Sequence, residues 1–364
     1  MPQRCHTHFS SARARARVFT LLLPFVLFMA SPAMAAKAPQ VGVYYFDGWA
    51  DTSPQSYHMQ NLPQHFPGRE PLSGWYDNSA ALVHQQVKWA RSIGVNFFIF
   101  DWYAPRRYDH TLNSAVAFFQ QDTHKLGMKY ALLYVNNGEL NIPQADWKAA
   151  CQHWVNDYFK DAAYYKINDK PLLPVFSVPD MEKNWGGPQG VARAWDELRA
   201  AAKEAGLPGV FVVACAYPRP KENLNRLAGE GYDAYSGYNY AGMKGTVKGE
   251  NPYSLIVQGS QEIWNDFAAD SRKPYIPVVT DGWDPRPWNE TPYWYKRSPE
   301  EFRDFVTAAL RWWHEHPAMR VMETTPLIFV EAWNEVGEGS YLLPTRDDGF
   351  TYMNALREGL KKGR

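Results

Sequence analysis

Short apolar runs alternate with amphipathic stretches along this chain from about residue 40 onward. The runs are Val41–Asp47 (VGVYYFD), Val95–Asp101 (VNFFIFD), Lys129–Val135 (KYALLYV), Pro171–Ser177 (PLLPVFS) and Gly209–Cys215 (GVFVVAC). Asp233–Tyr238 (DAYSGY), Pro274–Thr280 (PYIPVVT) and Leu327–Trp333 (LIFVEAW) complete eight. Several are continuously apolar, the pattern of strands buried on both faces. Helical periodicity predicts helices over Ser79–Ile93, Thr111–Leu126, Gln144–Phe159, Pro188–Ala205 and Pro299–His316. Asn78-Ser79 and Ser298-Pro299 supply start signals, and Gly94, Gly127 and Gly206 supply stops.

Alternating strands and helices predict parallel strands with crossover helices. Eight strands in about three hundred residues suit a single α/β (β/α)8 TIM barrel with long βα loops. An open dinucleotide-binding sheet is the competitor, but no Gly-x-Gly-x-x-Gly follows an early strand. No repeat or proline- and serine-rich linker divides the chain.

The N-terminus reads separately. Arg13, Arg15 and Arg17 precede the apolar run Val18–Ala30 and an Ala33-x-Ala35 site. That is the pattern of a Sec-type signal peptide, with a core too short for a comfortable membrane span. The expectation is a leader over residues 1–35, a barrel over 36–364, a periplasmic or secreted location, and no membrane attachment after cleavage. Lysine plus arginine and aspartate plus glutamate both total 38, so charge offers nothing to nucleic acid. Cys151 and Cys215 are too few to form a disulfide framework. A monomer is expected.

In such barrels the active site gathers at the C-terminal strand ends. Here those ends carry Tyr45, Asp47 and Trp49; Asp101, Trp102 and Tyr103; Tyr238 and Asn239; Trp283, Asp284 and Arg286; and Glu331, Trp333, Asn334 and Glu335. Carboxylates and amides bind hydroxyls, aromatic faces cover sugar rings, and glycosidic cleavage uses two carboxyl groups. A carbohydrate partner follows. Glu335 and Glu338 are three apart, close enough in a helical turn to split their proton affinities. Alternation places Glu331 on the face of Trp333 and Glu335. Asp47 and Asp101 read as ligand contacts rather than strand-end caps. Asp284 and Arg286 read equally as a loop-stiffening pair or as substrate contacts. No metal or cofactor is expected: no strand end carries His-x-His, and Gly-x-Ser-x-Gly and a phosphate loop are missing.

These residues resemble the glycoside hydrolase family 99-like proteins, whose members include endo-α-mannosidases and endo-α-mannanases. The resemblance runs through Val41–Tyr45, Gly74-Trp75-Tyr76-Asp77, Phe100–Tyr103, Tyr238-Asn239, Gly282–Pro287 and Trp333–Gly339. It implies a metal-independent (β/α)8 hydrolase acting with net retention, with α-mannoside chains as the family's substrate class. Glu338 would be the general acid/base, and Glu335 the base that draws a proton from the sugar 2-hydroxyl. Val336 stands where many relatives carry tryptophan, and Phe46–Trp49 differs from their proline-and-tryptophan run.

Overall fold

The computed structural model describes residues 37–50, 59, 61–75, 79–104, 110–288 and 291–363, with Met1 and Gln3. Those two apart, the predicted leader lies outside the described residues, as do Tyr76 and Asp77 of the family-like motif. Ala36–Arg364 forms one compact unit.

The eight apolar runs become eight parallel strands: β1 (Gln40–Tyr45), β2 (Phe97–Trp102), β3 (Lys129–Tyr134), β4 (Lys170–Val175), β5 (Phe211–Cys215), β6 (Ala234–Ser236), β7 (Val278–Thr280) and β8 (Leu327–Glu331). Each pairs with its neighbours in sequence, and β1 pairs with β8 in the register Val43↔Val330. The ring closes where Tyr235 of β6 bridges Tyr275 just ahead of β7, with Tyr235 N–H donating to Pro274 O and Ile276 N–H to Tyr235 O, both at 2.9 Å. The predicted TIM barrel is the fold.

Among the described residues the helices are α1 (Ala80–Ser92), α2 (Ser114–Gln121), α3 (Trp147–His153, continuing as a wider π turn over Trp154–Phe159), α4 (Pro188–Glu204), α5 (Glu222–Ala228), α6 (Ser254–Asp270), α7 (Pro299–Glu315) and α8 (Thr351–Lys362), with two further helices, Leu62–His65 and Val178–Trp185, in the loops after β1 and β4. The signals read from sequence work locally. Ser79 Oγ accepts from Leu82 N–H at the start of α1, and Ser298 Oγ from Glu301 N–H at the start of α7, where Pro299 follows the cap. Most tryptophans prove to be core: Trp147, Trp154, Trp195 and Trp264 are fully buried. Cys151 and Cys215 are free thiols. Among the described residues no helix is long and apolar enough to cross a membrane.

Strand parity decides which side chains reach the barrel interior, because successive residues face opposite ways. On β1, Tyr44 points inward, its hydroxyl donating to Gly237 O at 3.1 Å and its ring 4.8 Å from that of Tyr238. On β2, Asp101 takes the inward position. On β8, Glu331 does so, fully buried.

Candidate active site

The inward positions at the C-terminal mouth converge on carboxylates. Asp101 ends β2, Glu331 ends β8, and Glu335 and Glu338 follow on the next turn. Tyr238, beyond β6, places its hydroxyl 3.2 Å from Glu335 Oε1 and 3.5 Å from Asp101 Oδ2. Asp101, Glu331 and Glu335 are each at most 4% exposed. Asp101 Oδ1, Glu335 Oε2 and both oxygens of Glu331 have no hydrogen-bond partner within the protein.

Such a cluster cannot hold full negative charge cheaply. Burial, then the neighbouring Glu338, Asp101 and Glu331, push the Glu335 carboxyl well above the usual range; the Tyr238 hydroxyl pulls it back. Burial and Glu338 raise Glu331 in the same way, and burial, Glu338 and Asp47 raise Asp101. Asp281, just past β7, is lifted to about 7 by burial. Arg297 and the hydrogen bonds from Ser340 and the Ala332 backbone oppose that rise. Sequence reasoning passed over Asp281, although it directly follows a strand run.

The segment carrying the glutamates is a tight hairpin, not the helical turn that the spacing suggested. Asn334–Glu335 pairs antiparallel with Ser340–Tyr341, and Glu338 N–H closes the turn on Glu335 O at 3.1 Å. Two neighbouring loops hold it. Asp284 N–H donates to Glu338 O at 2.5 Å. Arg69, which sequence reasoning also missed, donates one guanidinium nitrogen to Val336 O at 2.9 Å and Asp284 O at 3.0 Å, while another pairs with the Asp284 carboxylate. Gly339 has φ +73°, and a Cβ there would come within 2.8 Å of the Asp284 backbone nitrogen. Its missing side chain makes room for that loop rather than for a sugar.

Beside the turn lies a cavity of about 500 Å³. Asn137, Phe176, Ser177, Tyr217, Tyr238, Asn239, Trp283 and Glu338 are among the residues that line it. Volume and aromatic lining fall in the range of small-ligand sites. The structure therefore brings together Asp101, Tyr238, Glu331, Glu335 and Glu338, with Asn239 and Trp283 on the cavity wall. Tyr103 lies buried next to the cluster, where Asp101 and Glu335 add to the effect of burial on its hydroxyl.

The other expected contacts point elsewhere. Tyr45, on the outward parity of β1, packs against Phe98 and Phe100 at 5.1 and 4.8 Å. Asp47 caps α2, accepting from Ala115 N–H at 2.5 Å and Ser114 Oγ at 3.2 Å; the cap reading prevails over the contact reading. Trp102 alternates with Asp101 and faces outward, its indole N–H reaching Tyr158 Oη at 3.4 Å. Trp333 likewise leaves the site, donating to Gln86 Oε1 at 2.8 Å under α1. β8 ends at Glu331, so alternation with Trp333 does not hold. Asn334 is a backbone clamp: Oδ1 accepts from Phe46 N–H at 2.8 Å and Nδ2 donates to Phe46 O at 2.7 Å. Trp49 donates to Asn334 O at 2.9 Å. With Trp75 and Val336 it borders a crevice of about 20 Å³, room for about one water and too small for a sugar. Arg286 pairs with Asp284 at 2.6 Å and lies over Trp294 at 4.3 Å, the loop-stiffening arrangement. Among the described residues, no group of three or more histidine, cysteine, aspartate or glutamate side chains is placed to hold a metal ion.

Comparison with known proteins adds a lineage. The sequence profile of a family described as "Glycosyltransferase WbsX" matches residues 46–356. A curated protein called "Uncharacterized protein WxcX", from Xanthomonas campestris pv. campestris strain B100, is 21% identical over 355 residues. The match covers 89% of this chain and 48% of that protein, so the chain spans about half the length of the curated relatives it matches. Among solved structures, a GH99 endo-alpha-mannosidase from Bacteroides thetaiotaomicron superimposes with a TM-score of 0.64 at 15% identity, covering 89% of this chain and 97% of that one. A "Glycoside hydrolase-like protein" gives 0.62 at 15% identity, covering 92% and 98%. At these identities the structural likeness establishes the fold, which is that of the family 99-like glycoside hydrolases.

Proposed function

The chain belongs to the WbsX glycosyltransferase family, and from that premise we propose that it is a glycan-active enzyme that hydrolyses glycosidic bonds with net retention. The observation carrying this reading is the set of buried carboxyls Asp101, Glu331 and Glu335, the first and last joined through the Tyr238 hydroxyl, beside a half-buried Glu338 that borders the 500 Å³ cavity. Glycosidic cleavage needs one carboxyl group to donate a proton and another to accept one, and buried neighbouring carboxyls divide those states between them.

Glu338, at the cavity wall, protonates the leaving oxygen. Glu335 takes the proton of the sugar 2-hydroxyl as that oxygen attacks the anomeric carbon and the glycosidic bond breaks, giving a 1,2-anhydro sugar. Water then opens the ring at the anomeric carbon. It gives a proton to Glu338 while Glu335 returns its own to the 2-oxygen, so both carboxyls end as they began. Burial raises the proton affinity of Glu335, which suits a base acting on a weakly acidic hydroxyl. The first bond to try is an internal α-mannosidic one, in view of the activity in the structural neighbour's name. Export, with the leader removed after Ala35, is part of the proposal.

Transfer to a second sugar is the other reading, and the family's description favours it. The same residues would serve, with an acceptor hydroxyl in place of water. A panel of α-mannans, glucans and bacterial exopolysaccharides, with and without acceptor sugars, separates the two by product. On the substrate found, Glu338→Gln should lower kcat by several orders of magnitude and leave Tm nearly unchanged. Wild-type turnover in that variant would remove Glu338 from the mechanism.

A further inference from the structure

The cavity takes its lining from many loops. Trp283 and Glu338 come from those after β7 and β8, and Asn137, Phe176, Pro179 and Tyr217 come from those after β3, β4 and β5, on other strands of the ring. Cleaving one bond does not require that reach. A site built for a single sugar could stop at Tyr238, whose hydroxyl already serves Glu335.

Tyr217 is the unusual residue among them. Its neighbour Tyr240 is 1% exposed and Trp283 is 8% exposed, but Tyr217 is 45% exposed. Among the described residues, the exposed large hydrophobics are Met1, Leu72, Leu126, Tyr217, Val247 and Phe350, and of these only Tyr217 borders the cavity. Its ring is also supported. It meets Tyr240 edge to face, with centroids 5.0 Å apart. The Tyr240 hydroxyl is fixed by Ala216 O at 3.2 Å, Ser236 O at 3.1 Å and Tyr275 Oη at 3.0 Å. A ring backed by an immobile partner, with its other surface open to a ligand cavity, loses little freedom when something flat and apolar lies on it. The C–H face of a pyranose is such a surface, and its hydroxyl rim can meet the Asn137 and Asn239 amides that also line the cavity.

We propose that Tyr217 is the stacking platform of an additional sugar-binding position, holding a pyranose unit of a glycan whose reacting bond lies at Glu335 and Glu338. The proposal rests on the glycan-active reading above and extends it: the substrate is a chain, and it runs from the glutamates across β6 toward the β4 and β5 loops. Affinity therefore grows with chain length on that side.

The test uses the purified full chain as wild type, Tyr217→Ala, Tyr217→Trp and Glu338→Gln, with α-manno-oligosaccharides and β-gluco-oligosaccharides from the disaccharide upward. In the wild type kcat/KM rises with chain length. Tyr217→Ala flattens that rise about fivefold to tenfold, the scale of one aromatic contact, and the loss falls on KM. Tyr217→Trp restores the rise, which shows that stacking rather than folding is at stake. An unchanged length dependence in Tyr217→Ala, with wild-type cleavage intact, overturns the platform and leaves the hydrolase reading standing. If the wild type cleaves nothing and calorimetry finds no binding of any oligosaccharide to Glu338→Gln, the glycan-active reading falls, and the platform with it.

Discussion

Replacing Asp281 by asparagine should remove a stability cost that grows with pH. Asp281 is fully buried at the end of β7. One oxygen accepts from Ser340 Oγ at 2.8 Å, and the Ala332 backbone N–H also faces the carboxyl. Burial lifts its pKa from the ordinary aspartate value of 3.8 to about 7. Between those two values the folded chain holds a proton that the unfolded chain has released. The free energy of unfolding therefore falls as pH rises through that window and levels off above about 7. The window spans about three pH units at 1.36 kcal/mol each, so the loss is on the order of 4 kcal/mol. Asparagine keeps the acceptor for Ser340 and never ionises. The charge of Asp281 also helps to raise Glu331, so its removal relieves a second group with the same sign. Urea denaturation of both proteins from about pH 4 to pH 9 at fixed ionic strength checks this, because any constant offset from the substitution cancels when the two profiles are subtracted. The stability of Asp281→Asn minus that of the wild type should climb with pH and then flatten near neutrality. Parallel profiles would refute the reasoning: they would mean that water or a counter-ion reaches this carboxylate and ionisation there costs nothing.

Arg69→Ala should free the Val336 and Asp284 carbonyls that position the glutamate hairpin, lowering kcat/KM by roughly a hundredfold. Arg69→Lys should recover part of that loss, and equal activity in all three proteins would show that the hairpin holds its shape unaided. Asp47→Ala should cost roughly 1–2 kcal/mol, as the loss of a helix cap does, and leave KM where it was; a rise in KM at unchanged Tm would return Asp47 to the substrate. Trp333→Phe leaves Gln86 without its indole donor beneath α1, so Tm should fall while the substrate profile stays constant. Mass spectrometry of protein exported from a bacterial host should find Ala36 at the N-terminus, and an intact N-terminus would sink the leader.

The barrel was legible because parallel strands buried on both faces leave an unmistakable trace: all eight apolar runs became strands, and Gly94 and Gly206, at φ +98° and +84°, ended helices where expected, whereas α2 stops at Gln121, well short of Gly127. α6 was missed although Ile256, Ile263, Trp264 and Phe267 form its buried stripe, because no side chain caps its start and glycine, serine and asparagine interrupt the pattern. The site was read less well for one physical reason. Composition shows which residues gather at strand ends, but only parity shows which enter the barrel, and parity stops where a strand stops. Asp101 and Trp102 are neighbours with opposite fates. Tyr45 faces outward and Asp47, past the end of β1, turns to the start of α2, while Tyr44, which the reading skipped, points in. Arg69 left no local signal, since its partners lie more than 200 residues away.

The pairing of β1 with both β2 and β8 has a temporal consequence. Asp101 comes from the second strand and Glu335 from just beyond the last, and Asn334 locks onto Phe46 across a sequence separation of 288 residues. Closing so long a loop is among the slowest events available to a folding chain. Until it closes, the protein has most of its strands and none of its chemistry. The proposed activity is thus a report on ring closure: a mutation anywhere that leaves β8 undocked should abolish it while much of the secondary structure still looks native.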